Sequence, residues 1–165
     1  MNRHIAIYPG SFDPFTYGHM DIVHRGLEIF DTVVIAVANN SDKNSLFTVA
    51  ERVDMINQLV EHNSHVKVET FDGLLVDYVV SKKARVILRG LRAVTDFEFE
   101  FQLAQMNHTV CQQVETLFMM TSPKFAYLSS SIVKEVGRLG GDISKFVQPL
   151  VKEELEKKFK LSKKS

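Results

Sequence analysis

The chain has 165 residues, 45% of them hydrophobic and 24% charged, enough to bury a substantial core without staples. Its 20 Lys and Arg balance its 20 Asp and Glu, so no bulk charge points to nucleic acid or to a membrane surface. A single cysteine, Cys111, excludes an internal disulfide and a cysteine-based metal cluster, and no apolar run approaches the ~20 residues a membrane helix needs. The first residues lead straight into a strand pattern without signal-peptide architecture, so a reduced, cytoplasmic setting is expected.

Ile5-Ala6-Ile7-Tyr8 is a short apolar run that suits a buried strand. Pro9-Gly10 is expected to break it, and Asp13-Pro14 to keep the chain irregular a little longer. From Gly18 the pattern turns helical to Phe30, with Ile22, Val23, Leu27 and Phe30 at helical spacing. A strand, a tight turn and a helix opening on Thr16, Gly18 and His19 make an anion site, because free backbone N–H groups and the helix dipole point at whatever sits there. Residues 32–38 form a β-branched run typical of a strand covered on both faces, followed by a polar loop over 39–45.

Thr48 and Glu51 make a capping box for a helix that carries Val49, Val53, Ile56, Leu59 and Val60 on one broad face. Residues 66–70 alternate as a third strand, Asp72-Gly73 is a turn, 74–82 a short helix, and 85–88 a fourth strand ending at Arg89-Gly90. A second capping box, Thr95 with Glu98, is expected to open a long helix from about residue 96 to 111. Phe97, Phe99, Phe101 and Leu103 wrap more of that helix than one core contact needs, which suggests a subunit interface. Residues 116–120 form a fifth strand, 129–139 a helix with serines at its start and Gly140-Gly141 at its end, and Pro149 suits the first turn of a final helix. The tail from Lys152 has six lysines against three glutamates and reads as a solvated, frayed helix. His4, His24, His62, His65 and His108 have no motif partners.

Strands alternating with helices argue for the α/β class: a single doubly wound, Rossmann-like domain over 1–165 with a five-stranded, mainly parallel sheet, its C-terminal helix and basic tail starting near 150. Such sheets bind ligands at the carboxyl ends of their strands. The segments expected there carry Ser11, His19, Lys43, Arg89, Arg92 and Ser129-Ser130-Ser131, nearly every phosphate-suited side chain of note, on one rim. The chain has neither Gly-x-x-x-x-Gly-Lys-Ser/Thr nor a Gly-x-Gly-x-x-Gly after the first strand, which sets aside P-loop and dinucleotide chemistry.

Tyr8-Pro9-Gly10-Ser11-Phe12-Asp13-Pro14, Thr16-Tyr17-Gly18-His19, Arg89-Gly90-Leu91-Arg92-Ala93, Asp96-Phe97-Glu98 with Glu100, and 129–136 together resemble the nucleotidyltransferase superfamily with a Thr/His-x-Gly-His motif. Within it the chain is similar to the bacterial-type phosphopantetheine adenylyltransferases, from about residue 3 to about 150. The resemblance implies transfer of AMP from ATP to 4′-phosphopantetheine, Mg²⁺ held mainly by ATP phosphates and water without a protein metal site, and a homohexamer built as a dimer of trimers. It implies that His19 donates to the α-phosphate, that Lys43 offsets charge between the phosphates, and that Arg89 holds the acceptor phosphate. By the same match Ser11 contacts both substrates, and Leu75, with Leu74 beside it, lines the pantetheine channel. Phe12, Gly90, Leu91, Arg92, Glu100, Phe125, Ala126, Tyr127, Leu128, Ser129, Ser130 and Ser131 surround ATP. The chain departs from the family pattern at Ser11, where threonine is usual, at Tyr17, where asparagine is, and at Phe125, where tryptophan is common.

Taken singly, Lys43 reads as a solvated charge, Arg89 as a partner for Asp96 or Glu98, and the serines as a helix cap. The competing functions are a sister nucleotidyltransferase acting on nicotinate mononucleotide or glycerol 3-phosphate, and a non-catalytic nucleotide-binding module.

Overall fold

The computed structural model describes residues 4–39 and 45–162. Five parallel strands, β1 (Ile5–Gly10), β2 (Thr32–Ala38), β3 (Val66–Phe71), β4 (Val86–Leu91) and β5 (Glu115–Met120), form one sheet in the order β3-β2-β1-β4-β5. Around it run α1 (Tyr17–Gly26), α2 (Val49–Val60), α3 (Leu75–Ser81), α4 (Val94–Val110), α5 (Ser130–Arg138) and α6 (Pro149–Ser162), with a 3-10 turn at Pro123–Phe125. This is the doubly wound α/β architecture that the strand–helix alternation implies.

Successive strand residues point to opposite faces. Ala6, Tyr8, Val33, Ile35 and Val37 therefore meet Ile22 and Val23 of α1 and Ile56 and Val60 of α2, while Ile7, Val34, Ala36 and Ile87 meet Val76 and Val79 of α3. Because both faces are covered, the run at 32–38 is apolar without alternation. A third cluster, with Phe47 and Met55 against Val133, Ile143, Val147, Val151 and Leu155, seats α5 and α6 beside α2. Among the described residues no helix is long and apolar enough to cross a membrane.

Several local expectations change. Pro9 and Gly10 continue β1, opposite Ala36 and Val37 of β2, rather than ending it. A proline is tolerated in this central strand because pairing with β4 is confined to Ala6 and Ile7. At residue 9 the ladder on that side has already ended, and the Pro9 carbonyl accepts instead from Arg89 Nη1 at 2.8 Å. The carboxyl ends of β1 and β4 thus separate where the strand order reverses. Arg89 and Gly90 lie inside β4, not beyond it.

Helix α1 stops at Gly26 rather than Phe30. There a Cβ would come within 2.9 Å of Leu88 Cδ2 and 3.2 Å of Val33 Cγ2, so the glycine lets the helix lie directly on the sheet. Leu27 and Phe30 still pack on the core from the following turn. The Thr48–Glu51 capping box forms, but α4 begins at Val94 with Ala93 as N-cap and no side-chain cap. The N-cap thus lies two residues before the expected Thr95, and the acidic residue of the first turn, Asp96, reaches back to Arg92.

The turn between β1 and α1 is clamped from two sides. Buried Asp13 accepts from the amides of Leu46 (3.0 Å) and Phe47 (2.9 Å) and from Lys134 Nζ of α5 (2.6 Å). Arg52 of α2, only 1% exposed, donates to the Ser11 carbonyl at 2.5 Å. Three elements are tied to one turn by a carboxylate and a guanidinium whose burial requires such partners.

Candidate active site

Where β1 and β4 part, they leave a cleft of about 450 Å³. Of the residues picked out from sequence, Ser11, Phe12, His19, Arg89, Gly90, Arg92, Glu100, Phe125, Leu128, Ser129, Ser130 and Ser131 line it. Leu91, Ala126, Tyr127 and Leu75 are not among the lining residues. Leu91 is buried, Leu75 packs into the α3 side of the core, and Tyr127 is exposed against the Phe146 ring. Lys43 lies outside the described residues.

His19 is held by a capping box that spacing rules built on Glu or Gln do not flag. Thr16 Oγ1 accepts from the His19 amide at 3.3 Å, and the Thr16 amide donates to His19 Nδ1 at 3.0 Å. A ring nitrogen that accepts an N–H carries no proton, so the neutral imidazole holds its proton on Nε2. The rings of Phe12, Phe15 and Tyr8 lie 5.1, 5.3 and 6.4 Å from the imidazole. Burial among them, reinforced by the nearby charges of Arg92 and Arg89, pushes the His19 pKa down to about 4. Phe12 reaches this position with φ at 50°, and a Cβ on Gly10 would come within 2.9 Å of its ring. Of the first three amides of α1, that of Tyr17 goes to the Phe146 carbonyl and that of His19 to Thr16. The anion site is therefore narrower than a bare helix end: the Gly18 amide with the Nε2–H of His19.

Both cleft arginines are bonded in the same pattern. Arg89 donates from Nε to Glu100 Oε2 (2.6 Å), from Nη2 to Glu100 Oε1, and from Nη1 to the Pro9 carbonyl (2.8 Å). Arg92 donates from Nε to Asp96 Oδ2 (2.9 Å), from Nη2 to Asp96 Oδ1 (3.1 Å), and from Nη1 to the Leu128 carbonyl (3.0 Å). The partner of Arg89 is thus Glu100, neither Asp96 nor Glu98. Spacing along the chain could not select among the three.

Ser129 caps α5 by accepting from the Ile132 amide at 3.1 Å, and the Ser130 hydroxyl donates to the Pro14 carbonyl at 2.8 Å. The departures at Tyr17 and Phe125 meet in space: their rings stack at 6.2 Å and 19°, with Lys124 Nζ 4.6 Å from the Phe125 centroid. Asp21 anchors the same turn by accepting from the Ser122 hydroxyl (2.7 Å) and amide (3.1 Å). Tyr8, Asp96, Phe99 and Thr121 also line the cleft without having been assigned to it from sequence, beside Thr16 and Gly18 of the expected anion site. Among the described residues no cluster of three metal-ligating side chains occurs, and both cleft carboxylates are engaged by arginines.

A model of the cytidylyltransferase-like family matches residues 7–136. A phosphopantetheine adenylyltransferase of Geobacter metallireducens is 64% identical over 159 residues, covering 96% of this chain and 98% of its own. That of Geobacter sulfurreducens is 62% identical, with 96% and 97% covered. Among solved structures, the Plasmodium falciparum nicotinic acid mononucleotide adenylyltransferase complexed with NaAD superposes with a TM-score of 0.67 at 16% identity, over 98% of this chain and 96% of its own, a likeness of fold.

The depressed pKa of His19 links stability to pH. The folded chain takes up this proton near pH 4, whereas an unfolded histidine does so near 6.5. The unfolded state binds more protons between those values, so stability falls as pH drops through that window and is flat above it. Between pH 7 and 5 this one group should cost about 2 kcal/mol. His19→Gln keeps a residue able to close the capping box but does not titrate, and its denaturant-derived loss over the same interval should be smaller by that amount. Equal losses in the two proteins would show that His19 protonates freely.

Proposed function

The chain belongs to the phosphopantetheine adenylyltransferases of the cytidylyltransferase-like family, and from that premise we propose how its cleft brings two phosphorylated substrates together. It is a nucleotidyltransferase of coenzyme A biosynthesis, moving AMP from ATP to 4′-phosphopantetheine to give dephospho-coenzyme A and pyrophosphate. An oxygen of the acceptor phosphate attacks the α-phosphorus, and the bond to the bridging oxygen of the pyrophosphate breaks in line, without a covalent enzyme intermediate.

The nucleophile is a phosphate monoester whose second pKa is ~6, so it is largely ionised at neutral pH and needs no general base. The protein's work is alignment and stabilisation of charge on the α-phosphate and the leaving pyrophosphate. One observation carries this reading: the Thr16 amide occupies Nδ1 of a desolvated, neutral His19, so Nε2–H is a fixed donor in the cleft. That donor serves an α-phosphate oxygen. Arg89 and Lys43 hold the acceptor phosphate, Arg92 and Ser129–Ser131 the triphosphate, and Ser11 both substrates. Phe12, Gly90, Leu91 and 125–128 complete the nucleotide surround, and Leu75 lines the path of the pantetheine arm. Mg²⁺ would be held by the triphosphate oxygens and water, since both cleft carboxylates are engaged by arginines, and would offset charge on the phosphates. Unpaired Cys111 supports a reducing, cytoplasmic setting.

The exposed apolar residues of α4 support assembly. Phe97 and Phe101 on one side of the helix and Met106 and Val110 on another are exposed, more apolar surface than one core contact needs and of the kind that subunits cover. A homohexamer, a dimer of trimers, is the proposed state. Light scattering should return six chain masses, and a monomeric mass would contradict it.

Pyrophosphate release, measured with ATP and each candidate acceptor, tests the function. Turnover is expected with 4′-phosphopantetheine and not with nicotinate mononucleotide or glycerol 3-phosphate. His19→Ala should lower turnover by ~10²–10³ while ATP still binds, the usual loss on removing one preorganised donor. Undiminished turnover in that variant would remove His19 from the mechanism.

A further inference from the structure

An arginine presents five N–H donors in a rigid planar fork. In Arg89, Glu100 takes those of Nε and Nη2 and the Pro9 carbonyl takes one from Nη1. One N–H remains on each terminal nitrogen, the complement that a phosphate accepts bidentately. Arg92 repeats this arrangement with Asp96 and the Leu128 carbonyl, and again one N–H remains on each terminal nitrogen. We propose that Asp96 and Glu100 are positioning residues: each carboxylate fixes one guanidinium plane and leaves its far edge for a phosphate, Arg89 serving the acceptor and Arg92 the nucleotide. The assignment of the two arginines rests on the function proposed above.

Asp96 and Glu100 lie one turn apart on α4, so a single helix face sets both planes. The second anchor differs: Arg89 is tied to β1 through Pro9, and Arg92 to the segment before α5 through Leu128. The two guanidinia are thus fixed at separate places on the cleft wall. Both carboxylates are partly buried, Glu100 with 14% and Asp96 with 27% of its side chain exposed, and each is satisfied by its arginine. An arginine that must be ordered on binding loses side-chain entropy at that moment, and holding it beforehand removes the loss. Since donors remain after the carboxylates are bonded, a phosphate need not displace them. Glu100 therefore acts on the acceptor through Arg89.

The near-isosteric variants Glu100→Gln and Asp96→Asn, assayed for KM of each substrate with the other saturating, test this. Glu100→Gln should raise KM for 4′-phosphopantetheine about tenfold and leave that for ATP within about twofold. Asp96→Asn should do the reverse. Glu100→Asp, which keeps the charge but shortens the reach, should raise the same KM as Glu100→Gln and no other. A lowered acceptor KM in Glu100→Gln would make the carboxylate a competitor of the phosphate and overturn the proposal. So would a rise in the KM for ATP alone, or equal rises in both. Arg89→Ala separates the two levels. If it leaves the acceptor KM unchanged, the assignment of Arg89 fails. If it raises that KM while Glu100→Gln does not, only the positioning role is overturned.

Discussion

The bond from the Thr16 amide to His19 Nδ1 is where backbone structure becomes chemistry. It closes the first turn of α1 and at the same time decides which imidazole nitrogen keeps a proton. Without it the ring could turn either nitrogen to the cleft, and its donor would be present part of the time. The aromatic surround supplies the second condition, since a ring that charged near neutral pH would be a different group. Gly10 and Phe12 make that surround possible, one by lacking a side chain and the other by adopting a left-handed backbone. Asp13 and Arg52 then hold the turn against α2 and α5, so the placement of His19 rests on buried, fully partnered charge.

The cleft itself follows from the sheet. Parallel strands joined by right-handed crossovers reverse their order at one place, here between β1 and β4, and helices cannot cover the gap at their carboxyl ends. Pro9 sharpens the gap by taking a donor out of β1 where the ladder to β4 has stopped. Arg89 fills the lost pairing with a side chain, and in doing so becomes fixed at the cleft wall. A backbone irregularity and a recognition group are thus the same feature viewed from strand and from site.

Much of this was legible in the chain. Apolar runs together with cap and turn signals located the five strands and six helices of the described residues, and the strand-end rule gathered Ser11, His19, Arg89, Arg92 and the three serines on one rim, where they line the cleft. What escaped was whatever depends on partners distant in sequence. Pro9 reads as a strand breaker because sequence does not say that its open side faces an unpaired neighbour. Thr95 and Glu98 have capping-box spacing, yet the N-cap is Ala93, two residues earlier, and Asp96 of the first turn engages Arg92. Glu98 and Glu100 are indistinguishable by composition, and only the direction of α4 selects Glu100 for Arg89. The tautomer of His19 was likewise hidden, since a histidine in the third helical position is not a usual capping partner. Leu75, Leu91, Ala126 and Tyr127 followed from resemblance, not from the physics of the chain, and the cleft as it stands does not include them.

His19 presents a neutral imidazole protonated on Nε2 throughout the neutral range. Ring nitrogen chemical shifts of ¹⁵N-histidine-labelled protein, followed from pH 5 to 8, test it directly, with His19→Gln identifying the signal. A spectrum with Nε2 protonated, Nδ1 unprotonated and no titration across that range is expected. An Nδ1–H tautomer, or a titration midpoint near 6.5, would contradict it.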